Sequence, residues 1–160
     1  MKKVCIIYNI PHHYRIGIWR ELSLTDDNDF EIYCGYDENP SVKHIEKEKM
    51  KCFNPLGELK IFPVLKNIYF KHVLIFQKNL LSLIFSKYFD NYIFFGEYYS
   101  LSTWISIIYL KLRRRNVIIW THGVTGREGY FKQRFIKKFY SIADHLLLYG
   151  HYAKSILKND

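Results

Sequence analysis

A chain of 160 residues with 49% hydrophobic and 24% charged side chains is sized for one globular domain with a real core, and is too apolar to be disordered. Its formal net charge of +9 and pI near 9.4 imply an anionic partner, whether nucleic acid, an acidic membrane surface or a phosphorylated small molecule. The three cysteines, Cys5, Cys34 and Cys52, form no CxxC pair and no His/Cys ligand cluster, so a zinc site is not expected and reduced thiols are.

The elements alternate. Lys3–Asn9 (KVCIIYN) predicts a first strand that stops at Ile10-Pro11. A helix is expected from His12-His13-Tyr14-Arg15, with Ile16, Trp19 and Leu22 or Leu24 on its apolar side. The Asp26–Asp29 cluster reads as a turn, and Phe30–Cys34 as a second strand. Asp37–Lys51 carries balanced charge and reads as an exposed connection.

Leu59–Val64 and Tyr69–Phe76 predict two shorter strands at an edge or in a hairpin. A helix over about Lys78–Tyr88 and a strand at Asn91–Phe95 come next, the latter ending in Gly96-Glu97. Leu101–Leu112 is the clearest helix, with Leu101, Trp104, Ile105, Ile108 and Leu112 at helical spacing. Arg113–Arg115 close it with positive charge, which favours a helix carboxyl end.

Asn116–Thr121 (NVIIWT) has the β-branched and aromatic content of a buried parallel strand. A basic-aromatic helix at Phe131–Tyr140, a strand within SIADHLLLYG and a helix at His151–Lys158 complete the chain. Strands alternating with helices imply βαβ units, and hence a Rossmann-like α/β/α domain on a mainly parallel sheet, spanning residues 1–160.

Familiar chemistry is missing from the strand ends. Asn9-Ile10-Pro11-His12-His13 stands where GxGxxG would follow the first strand, and there is no P-loop, GxSxG elbow or HExxH. What remains is three loops that a parallel sheet brings to one rim: Pro11–Arg15, Gly96–Ser100 and His122–Glu128. Their residue types suit a sugar and a phosphate. His12, His13 and His122 can bond hydroxyls, and Arg15 and Arg127 offer forked donors for phosphate or carboxylate. Gly96, Gly123 and Gly126 permit close backbone approach, and Tyr98 and Trp120 could stack on a sugar ring. Each also has a plainer reading: the glycines as turn residues, Tyr98 as a core cap, His12 as an exposed side chain.

At these loops the chain resembles the retaining, nucleotide-sugar-dependent glycosyltransferases of the GT-B fold, the family 4-like group that includes bacterial polysaccharide and capsule enzymes. The resembling residues are Pro11-His12-His13-Tyr14-Arg15 with Trp19 and Leu22, Phe95-Gly96-Glu97, Thr121-His122-Gly123, and Ala143–Gly150 with Tyr152-Ala153-Lys154. The resemblance implies a domain that recognises the acceptor, facing a second, donor-binding domain that nothing in this chain matches. The chain alone would then be an inactive half.

The resemblance also assigns roles. His122 would act at the transferred sugar, as a donor contact or electrostatically, while His13 and Arg15 would lie on the acceptor side. Gly96, Glu97 and Gly123 would complete the substrate contacts, joined by Tyr98 and Arg127, which their residue types alone put forward. No metal and no cofactor beyond the nucleotide-sugar substrate is implied, and the glycine pair usual in the first loop is absent.

On the helix near Phe131–Tyr140, the sequence reading sets Phe131, Phe135, Ile136, Phe139 and Tyr140 on one face. Gln133, Arg134, Lys137 and Lys138 fall on the other. Arg134, Lys137 and Lys138 could hold the enzyme on an anionic bilayer near a lipid-linked acceptor, or could be the solvated side of a core helix. The longest uncharged apolar run, Tyr98–Leu110, is too short to span a bilayer, and Met1-Lys2-Lys3 leads straight into a strand. A cytoplasmic protein is expected, at most peripheral at the inner face of the plasma membrane. The competing class is a non-catalytic basic module for an anionic partner such as nucleic acid, for which no recognition motif is present.

Overall fold

The computed structural model describes residues 1–10, 12–25, 27–36, 60–70, 74–124 and 128–158. Pro11, Cys52, Gly126, Arg127 and the charge-rich Asp37–Lys51 stretch lie outside the described residues. The strands are β1 (Lys2–Tyr8), β2 (Asn28–Tyr36), β3 (Lys60–Phe70), β4 (Leu74–Lys78), β5 (Asn91–Phe95), β6 (Asn116–Thr121) and β7 (His145–Leu148). The helices are α1 (Ile16–Ser23), α2 (Leu80–Ser86), α3 (Leu101–Leu112), α4 (Tyr130–Tyr140) and α5 (His151–Lys158). A 3-10 turn at His13–Arg15 leads into α1.

All seven strands join one sheet in the order β4-β3-β2-β1-β5-β6-β7. Every pairing is parallel except the β3–β4 hairpin at the edge. This is a Rossmann-like α/β fold. The chain leaves β1 towards β2 on one side and continues from β5 towards β6 on the other, so the topological switch point lies between β1 and β5. Crevices for ligands open at such a point, beyond the carboxyl ends of the strands.

Strand periodicity divides the sheet into two faces. Register aligns Ile6 with Ile93 and Ile32, Ile93 with Ile118, and Phe95 with Trp120, so these side chains share a face. There Val4, Ile6, Tyr8, Ile32 and Cys34 pack with Trp19 of α1. Leu22 joins them half-buried while Leu24 is exposed, which resolves the sequence alternative. The opposite face carries Cys5, Ile7, Tyr92, Phe94, Val117 and Ile119 under α2, α3 and α4. Cys5 and Cys34, in no disulfide, are buried in their strands on opposite faces.

Helix α3 departs from the expectation its periodicity raises. The apolar stripe Leu101, Ile105, Ile108 and Leu112 faces outward, while Ser102, Thr103, Ser106, Ile107 and Leu110 face the sheet. The reason is hydrogen bonding at close range. Ser100 caps the helix by accepting from the Thr103 amide, and the Ser102 hydroxyl accepts the Gln77 amide of β4 at 2.9 Å. Small hydroxyl residues let the helix approach β4 closely and satisfy its polar groups there.

Helix α4 is corrected as well. Ile136, Phe139 and Tyr140 are buried, but Phe131 is 86% exposed and Phe135 50%. The buried stripe of α4 centres on its last turn, so the two N-terminal phenylalanines swing out beside Arg134 and Lys138, both exposed.

Asp144 fixes the last strand. Its carboxylate accepts the Val117 amide at 2.8 Å and pairs with Lys111, while its own amide donates to the Val117 carbonyl. That double clamp sets β7 in register beside β6. Among the described residues, no helix is long and apolar enough to cross a membrane.

Candidate functional site at the carboxyl rim

Two groups of polar and aromatic side chains occupy the rim. The first surrounds Arg15, which the 3-10 turn after β1 directs under the sheet end until it is only 4% exposed. Its Nε donates to the Tyr8 hydroxyl at 3.2 Å and its Nη2 to the Tyr149 hydroxyl. The guanidinium carbon lies 4.8 Å from the Trp120 ring centre, 4.9 Å from Tyr149 and 5.1 Å from Tyr14. Attraction between guanidinium and ring faces holds such a box together.

His122, the first residue past β6, is exposed, and its ring stacks on Tyr149 at 4.1 Å and 16°. Trp120 stacks on the same tyrosine at 5.8 Å. The tyrosine therefore joins the ends of β1, β6 and β7. On the β1 side, His12 stacks on Tyr14 at 5.2 Å and meets Tyr8 edge-on. Burial lifts the Tyr8 and Tyr149 phenols above their ordinary range against the pull of Arg15, so both are neutral at physiological pH.

The second group lies at the switch point itself. Glu97, just past β5, is 7% exposed and hydrogen bonds with the side chains of Asn9 and Tyr99. Burial pushes its carboxyl up to about 7, against those two bonds. Asn9 extends the group towards the sheet edge. Its carbonyl accepts from Asn67, whose side-chain oxygen accepts from Gln77. The Asn9 Oδ1 is sealed from solvent and has no partner.

The glycines have packing reasons of their own. A Cβ on Gly96 would lie 2.4 Å from the Thr121 Cβ. Gly123 sits at φ +79°, where its Cβ would also lie 2.7 Å from the Ala153 Cβ. The loop after β6 is thereby seated on the first turn of α5. Gly123→Ala is expected to cost ~1–2 kcal/mol from the backbone alone, and the collision adds to it. A fall in melting temperature of at least ~3 °C checks this; an unchanged temperature would refute the tight seat.

Of the sequence-derived candidates, Arg15 and His122 come together through Tyr149, and Glu97 joins a separate polar group. Tyr98 does not face this cluster. It packs towards the helix layer beside Phe135 and carries the Lys132 ammonium 5.8 Å above its ring, while its carbonyl accepts the Trp104 indole. The backbone of His13 lies in the 3-10 turn, and Arg127 is outside the described residues.

Sequence reasoning gave no site role to Tyr8, Asn9 or Tyr149, although Tyr149 lies within the resembling stretch Ala143–Gly150. Register was the available signal for the last. Trp120 pairs with Leu147, so the residue two beyond Leu147 emerges on the same face at the rim. Among the described residues no group of three or more His, Cys, Asp or Glu side chains is placed to hold a metal ion. Compared with known protein families and with curated proteins, the chain matches no family model and no individual protein.

Proposed function

We propose that this chain is the acceptor-side domain of a retaining GT-B glycosyltransferase, which moves a sugar from a nucleotide-sugar donor to a glycan or lipid-linked acceptor. One observation carries the reading: side chains from the ends of β1, β6 and β7 converge through Tyr149 into a single rim cluster holding Arg15 and His122. A retaining transfer that relies on the donor's phosphate asks this wall for orientation and electrostatics, not for a nucleophile.

In this reading the exposed His122 imidazole contacts the transferred sugar, and its stack on Tyr149 fixes the ring. His13, Gly96, Glu97 and Gly123 remain assigned to substrate contact by resemblance and Arg127 by its residue type, whereas Tyr98 packs towards the helix layer. The donor is held by a second Rossmann-like domain across the cleft, without a metal. The protein works at the inner face of the plasma membrane, with α4 towards the lipid.

The test is sugar transfer by the gene product, using a panel of labelled nucleotide sugars with membrane lipid and glycan acceptors. His122→Ala should lower transfer by ~10²-fold, as loss of one electrostatic contact does, with the melting temperature unchanged. No incorporation from any donor, together with salt-dependent binding of RNA or DNA, would replace this reading with the basic binding module.

A further inference from the structure

Among the described residues Arg15 is a buried cation without a counter-charge. Among the described residues no carboxylate pairs with it, and the two groups that accept its hydrogen bonds are phenols. Both phenols are neutral, for the reason given above, so neither supplies the missing negative charge. Among the described residues its Nη1 has no hydrogen-bond partner.

An isolated buried charge is unfavourable unless an opposite charge reaches it. The aromatic rings offset part of that cost, but they hold the guanidinium faces and leave its Nη1 edge without a partner among the described residues. A fork of free N–H groups in a water-poor box is the arrangement that grips an oxyanion. The tyrosine bonds fix its direction in advance, which lowers the entropy lost on binding.

We propose that the Arg15 guanidinium is a preformed oxyanion subsite, and that the acceptor sugar bears a phosphate or carboxylate that docks on it. The oxyanion rests on the geometry alone, whereas its place on the acceptor rests on the glycosyltransferase reading. Such an acceptor would be oriented by its charge at Arg15, with its reacting hydroxyl directed along the rim towards His122. A neutral sugar of the same shape would lose this anchor.

The Arg15 Nε–H resonance, read by nitrogen-edited NMR of the chain at constant ionic strength, tests the subsite without any variant. Inorganic phosphate, a hexose phosphate and glucuronate should each shift it saturably, and glucose should not. Arg15→Gln should weaken phosphate binding at least ~10-fold, since a charge-assisted fork is lost. Should that variant fail to fold, Tyr149→Phe, which frees the clamp and keeps the cation, should weaken binding several-fold.

A resonance that phosphate leaves unmoved, or undiminished binding in Arg15→Gln, overturns the subsite. Uridine diphosphate binding at Arg15 far more tightly than hexose phosphate overturns its assignment to the acceptor. Sugar transfer absent with phosphate still on Arg15 removes the reaction and leaves the subsite; transfer present with Arg15 unmoved does the reverse.

Discussion

Glu97→Gln should make the protein more stable than wild type at pH 8 and leave it nearly unchanged at pH 4. The carboxyl is buried and titrates near 7, against an ordinary value of 4.5. Its folded value is raised, so between those two pH values the native state holds a proton that the unfolded chain has released. The contribution is therefore fully present below about 4.5 and is lost as pH rises through about 7. The gap corresponds to ~3 kcal/mol, and the glutamine variant, which cannot ionise, should escape that loss.

Hydrogen bonding points the same way. Asn9 Oδ1 is sealed without a donor, and a protonated Glu97 carries a donor that an ionised one lacks. Glutamine offers an amide donor at every pH. Urea unfolding of both proteins from pH 4 to pH 8 gives the comparison as a difference, which cancels every other titrating group. Parallel curves would mean that Glu97 is ionised in the native protein and that burial does not control it.

The layout of the sheet was legible in the sequence, because strand runs such as NVIIWT and KVCIIY declare themselves by composition and by the glycines, prolines and charges that end them. The hairpin was legible too, although its strands are Lys60–Phe70 and Leu74–Lys78, so the break between them falls inside the run Tyr69–Phe76 expected as one strand. Which side of a helix meets the sheet was harder to read. In α3 the more apolar stripe faces out, because the sheet side needs small hydroxyl residues for a close, hydrogen-bonded approach to β4. Periodicity counts apolar side chains; it does not register a serine that serves the core by bonding to it.

The same limit applies to the rim. Arg15 and His122 stood out as chemical types at strand ends, but their partner Tyr149 is 134 residues from Arg15. Only strand order and register bring those residues together. Glu97 was legible as a strand-end acid, and its burial was not, since that depends on Asn9 and Tyr99 meeting it at the switch point.

Reversing two charges on α4 should release the protein from anionic membranes. Phe131, Arg134, Phe135 and Lys138 lie at i, i+3, i+4 and i+7, so one exposed stripe carries two aromatic rings and two cations. Through the 5.4 Å contact between Trp104 and Phe135 it continues into the outward apolar stripe of α3. Rings that enter the interface while cations meet lipid phosphate make up an interfacial helix. Lys137 is half-buried and has less to offer than the notional basic face implied.

Each cation near an acidic surface contributes ~1 kcal/mol. Arg134→Glu with Lys138→Glu removes two attractions and adds two repulsions, or ~4 kcal/mol by that scale, so binding to vesicles rich in phosphatidylserine should fall by ~10³-fold. Phe131→Ser with Phe135→Ser should instead weaken binding to anionic and zwitterionic vesicles alike, with little dependence on salt. Arg134 and Lys138 are exposed, so the charge pair should hold the melting temperature within ~2 °C. The serine pair, which loses the Phe135 contact with Trp104, should lower it by ~2–4 °C. If wild type ignores anionic vesicles at low salt, the stripe does not serve a bilayer.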